Sequence, residues 1–79
     1  MTDETWYSDF KTAVGTTIAR AVVCEDEPRR FHIDVKAGRL SPPTEFASSI
    51  EEAKRRAEDM VLAIWPGATA VGWQTQQVP

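Results

Sequence analysis

The residues able to do chemistry are few, and their spacing decides against most of it. His32 is the single histidine and Cys24 the single cysteine, so the chain can supply neither a cysteine zinc cluster nor an internal disulfide framework. His32 falls on the polar side of an alternating stretch, where a solvated side chain is the expectation. Cys24 closes an apolar run and is followed by Glu25-Asp26-Glu27. That anionic setting disfavours the thiolate a reactive cysteine needs. The serines lack a nucleophile elbow, and Gly15, Gly38, Gly67 and Gly72 are too scattered to cradle a phosphate. The carboxylate pairs Asp26/Glu27 and Glu58/Asp59 fall in a turn and on a solvated helix face. The expectation is a chain that is not an enzyme and holds no metal and no cofactor.

Binding chemistry is better represented. The aromatic residues are Trp6, Tyr7, Phe10, Phe31, Phe46, Trp65 and Trp73, and a domain this small needs most of them as core. Trp73 lies beyond the main periodic segments. Two readings stand for it: packing a terminal strand onto the sheet, or serving as an exposed anchor for a partner protein, where tryptophan is enriched. Arg29 and Arg30 form a basic pair in a turn. Lys54, Arg55 and Arg56 form a second basic group, diluted by Glu51, Glu52, Glu58 and Asp59 on the same helix. The candidate partner-binding residues are therefore Trp73, Arg29, Arg30, Arg55, Arg56, Glu58 and Asp59. The net charge of −3 is mild and does not favour generic binding to phosphate or to anionic membranes.

The element that must position them is a helix over 49–65. Ser48/Glu51 and Ser49/Glu52 both fit a capping box, and Pro66-Gly67 is a stop. Ile50, Ala53, Ala57, Met60, Val61 and Ile64 recur at spacings of three and four, which gathers them on one face. Glu51–Arg55 and Glu52–Arg56 are oriented as helical ion pairs on the other. Upstream, residues 16–25 are rich in β-branched side chains, and residues 30–37 alternate Phe31, Ile33 and Val35 with His32, Asp34 and Lys36. Those two segments predict an antiparallel hairpin with one dry and one wet face. Trp6, Tyr7, Phe10, Ala13 and Val14 follow helical spacing and predict a short helix over 4–14. A short third strand is expected near 39–46, confined to an edge by Pro42-Pro43. A C-terminal strand over 68–75 would follow the helix, and residues 76–79 are expected to fray.

At 79 residues the chain has room for one domain, 1–79, and its 42% hydrophobic content is that of a folded protein. No apolar run is long enough for a membrane span. The acidic start, Met1-Thr2-Asp3-Glu4, is unlike a secretory leader. Cytoplasmic residence is the expectation, with no membrane contact. The predicted class is α+β, a small antiparallel sheet packed against a long helix.

The order helix, strand, strand, third strand, helix over residues 5–65 resembles a double-stranded-RNA-binding domain. Glu27-Pro28-Arg29-Arg30-Phe31-His32-Ile33-Asp34-Val35-Lys36-Ala37-Gly38 is similar to that family's loop, alternating strand and glycine turn. Ser49-Ile50-Glu51-Glu52-Ala53-Lys54 is similar to its serine-headed second helix. The resemblance implies duplex binding through a basic pair after the helix-heading serine and a histidine in the hairpin loop. Here the first places hold Ile50 and Glu51, and the loop Asp26-Glu27-Pro28-Arg29-Arg30 has no histidine; Lys54 alone matches. By format alone, a mildly acidic chain of this size without catalytic residues is similar to small phage-encoded inhibitors of bacterial defence, including anti-CRISPR proteins.

These readings lead to a protein-binding module that occludes a host protein surface. A duplex RNA- or DNA-binding domain and a self-associating structural subunit are the alternatives.

Overall fold

A computed structural model describes residues 4–76. Its elements run β1 (Thr5–Lys11), β2 (Thr17–Glu27), β3 (Arg30–Lys36), β4 (Glu45–Ala47), α1 (Ile50–Ile64), β5 (Thr69–Ala70) and β6 (Gln74–Gln76). All the strands belong to one antiparallel sheet, ordered β4-β3-β2-β1-β5, with β6 also on β1. The class is α+β, with one helix packed on one face of the sheet. No helix among the described residues is long and apolar enough to cross a membrane.

The central strands alternate by face. Ala19, Ala21 and Val23 of β2 and Phe31, Ile33 and Val35 of β3 point inward and are buried. Ala53, Ala57 and Val61 of α1 close over them, each with no exposure. Alanine on both sides lets the helix backbone come close to the sheet, so the core is thin and dense. Ile50, Met60 and Ile64 pack around that contact, together with Trp6 and Trp73.

The short helix predicted over 4–14 is instead strand β1. Its helical spacing came partly from Ala13 and Val14, which lie in the connection to β2, where Val14 is 88% exposed. On the strand, Trp6, Ser8 and Phe10 share the inward face, with Trp6 meeting Phe31 edge-on at 5.8 Å between ring centroids. Ser8 is fully buried, and its hydroxyl donates to the Asp9 carbonyl oxygen at 3.1 Å. That local bond lets a polar side chain occupy an apolar face. Gly15, at φ +87°, turns the chain into β2, its N–H donating to the Thr12 carbonyl oxygen at 2.9 Å.

The hairpin is longer than its predicted first strand. β2 continues to Glu27, and the turn narrows to Pro28-Arg29, with a bulge between Glu25 and Glu27. The expected third strand is the short edge strand β4, after an Ala37–Leu40 bridge. The expected C-terminal strand is broken into β5 and β6, which flank Val71-Gly72-Trp73 and cover the outer edge of β1. Gln76 belongs to β6, whereas the rest of the expected frayed tail, 77–79, lies outside the described residues.

The helix spans Ile50–Ile64 and is not a long one, since Ser49 and Trp65 are its caps. Ser49 Oγ accepts from the Glu52 N–H at 3.2 Å. The Glu52 carboxylate reaches back to the hydroxyl and N–H of Ser48, at 2.9 and 3.3 Å, rather than to Ser49. Beyond Ile64, the Trp65 N–H still donates to the Val61 carbonyl at 2.8 Å, and Gly67 at φ +94° releases the chain toward β5.

Candidate functional site

Two surfaces remain once the core is closed. The first is an open groove between the flank of α1 and the edge strand β4, lined by Glu45, Glu52, Arg55, Arg56, Asp59, Met60 and Ala63. Helical spacing puts Glu52, Arg56, Asp59 and Ala63 on that flank, while Met60 turns toward the core. Arg56 ties the two walls together. Its guanidinium lies 3.1 Å from Glu52 and 3.7 Å from Glu45. Hydrogen bonds from Ser48, joined by Arg56, hold the Glu52 carboxyl below its ordinary range. Arg55 and Asp59 form no ion pair among the described residues, so both charges stand free at the groove.

The second surface is the outer face of the sheet, which no element among the described residues covers. Val22 and Cys24 lie half-buried at its centre, beside Tyr7, His32 and Phe46 on neighbouring strands. Arg20 lies 5.2 Å above the Tyr7 ring and bonds Asp9 at 2.7 and 3.2 Å. That bond lowers the Asp9 pKa from its ordinary value. Arg30 lies 4.8 Å above the Phe46 ring. His32 stands between two acids, with Nδ1 3.6 Å from Asp26 and Nε2 3.8 Å from Asp34. No group of metal-ligating side chains forms among the described residues.

The structure thus distributes the sequence-derived candidates over four places. Arg55, Arg56 and Asp59 meet in the groove. Glu58 is half-buried on the opposite flank of α1 and does not line the groove. Arg29 and Arg30 sit at the tip of the β2–β3 hairpin and do not line the groove; Arg30 reaches over Phe46 of β4 instead. Arg29 adopts φ +65°, a conformation that L-residues other than Asn and Asp rarely hold. Trp73 is half-buried against the core, and its Nε1 is a buried donor without a partner among the described residues. Sequence reasoning did not single out Glu45, Met60 or Ala63 as groove residues. Their assembly depends on β4 pairing with β3 beneath the helix flank, which no local pattern announces.

No family model, curated protein or solved structure matches the chain.

Proposed function

We propose that the chain is a non-catalytic protein-binding module whose contact surface is the groove between α1 and β4. The observation that supports it is the pair of free charges, Arg55 and Asp59, beside the apolar atoms of Met60 and Ala63. That combination gives a partner an apolar footing and two oppositely charged points of registration, and such charges set specificity and encounter rate. In this reading the module covers a surface of a host protein, as small phage-encoded inhibitors of bacterial defence do, and the mixed charge of the groove selects a protein over a polyanion.

Binding to duplex nucleic acid draws less support from the arrangement. Arg20 is held by Asp9, Arg56 by two carboxylates, and Arg30 rests on Phe46. The cations left to neutralise phosphate are scattered over several edges rather than gathered in a stripe.

The test is affinity capture from bacterial lysate with the wild-type chain beside an Arg55→Glu/Asp59→Arg variant. The captured protein is then purified and its affinity for both chains measured. A specific partner that the folded variant binds at least about tenfold more weakly is the expected result. Capture of no specific protein, or equal affinity for both chains, would overturn the reading.

A further inference from the structure

We infer that the partner seats an extended peptide segment in the groove, where it adds to the sheet as an antiparallel strand along the free edge of β4; this rests on the groove being the contact surface proposed above. The first observation is the edge itself. β4 ends the sheet, with β3 on one side. On its other side no group among the described residues hydrogen-bonds the main chain of Glu45, Phe46 or Ala47. An antiparallel strand directs alternate N–H and C=O groups away from its neighbour. An extended peptide meets such groups with its own main chain, and strand addition draws its affinity from those bonds.

Both faces of that edge have room for side chains. Phe46 lies on the outer face and is 47% exposed, so one alternate set of peptide side chains covers its ring. Glu45 lies on the inner face and lines the groove with Met60 and Ala63, so the other set enters the groove.

The free charges then fix the order of the peptide residues. Arg55 and Asp59 are four helical residues apart, about 6 Å along the axis. Alternate residues of a strand are about 7 Å apart, so two of them match the two charges. α1 runs back along β4, because Arg56 in its second turn reaches Glu45 at the start of the strand. A strand antiparallel to β4 therefore runs in the direction of α1 and meets Arg55 before Asp59. Its complementary sequence is an acid followed two residues later by a base. Pro42-Pro43 cannot donate to a ladder, and β4 itself is three residues long. Those features blunt the edge against another whole sheet and leave it open to a short segment that the groove charges select.

The experiment pans a displayed library of short random peptides on the wild-type chain and measures the selected sequences, as synthetic peptides, by calorimetric titration. The expected consensus is an acid two residues before a base. Exchanging the two in the peptide should weaken binding at least about tenfold, and the Arg55→Glu/Asp59→Arg chain, shown to be folded by circular dichroism, should restore it. N-methylation of one alternate set of peptide nitrogens should weaken binding at least about tenfold, and of the other set should leave it unchanged, because one set faces β4. Selection of no peptide, a consensus without that order, or equal binding whichever set is methylated would overturn the inference. The groove is decided separately: a lysate partner that still distinguishes the two chains keeps the groove and removes the added strand alone.

Discussion

The same strands carry two opposite surfaces. On β2, Ala19, Ala21 and Val23 face α1 and are at most 5% exposed, whereas Arg20, Val22 and Cys24 face outward beside charged neighbours. The inward face is uniform, small and apolar, so it fits a helix pressed close. The outward face mixes rings, aliphatic groups and both signs of charge. Such a surface stabilises a fold little, because exposed ion pairs contribute at most about 1 kcal/mol each. Core packing and exposed surface are therefore separated by one residue of strand period, and substitutions on adjacent positions should have effects of different kinds.

The largest contrast is on the helix. Ala57→Glu puts a charge at a position with no exposure, facing β2 and β3. The expected outcome is loss of the cooperative thermal transition, because a buried unpaired charge costs more than a domain of this size can spare. Arg55→Glu, two residues earlier, should leave the melting temperature almost unchanged. A folded Ala57→Glu variant would show that the buried face of α1 is misassigned.

The next contrast compares the two faces of the hairpin. Ile33→Ala on β3 empties a fully buried site and should cost about 2–5 kcal/mol in chemical denaturation. Val22→Ala, half-buried on the outer face, should cost less than about 1 kcal/mol. Equal losses would mean that the outer face is packed in the monomer.

How far the sequence reached differs along the same line. The hairpin and the helix were legible because Phe31, Ile33 and Val35 alternate cleanly and because Ser49 and Pro66-Gly67 punctuate α1. Strand β1 was not legible. Buried Ser8 breaks the apolar alternation of Trp6 and Phe10, and exposed Val14 completes a false helical face. The hydrogen bond that lets Ser8 be buried is visible only once the strand is formed. The groove was half legible. Arg55, Arg56 and Asp59 were candidates from their charge, but Glu45 joins them only through the pairing of β4 with β3.

Smaller effects sit at the helix start. Ser49→Ala removes the acceptor for the Glu52 N–H and should cost about 1 kcal/mol. Glu52→Gln addresses pH. The folded state holds the Glu52 carboxyl below its ordinary value, mainly through the Ser48 hydroxyl. Its stabilising contribution is therefore present above about pH 4.3 and is lost as pH falls through the folded value. The Glu52→Gln variant should melt lower than wild type near neutrality and lose less stability on acidification. Parallel acid limbs for the two chains would show that Glu52 is not coupled to folding.

Calorimetric titration of the captured partner tests the proposed groove most directly. Arg55→Glu/Asp59→Arg should keep the wild-type melting temperature and bind at least about tenfold more weakly. Unchanged affinity in that folded variant would contradict the account.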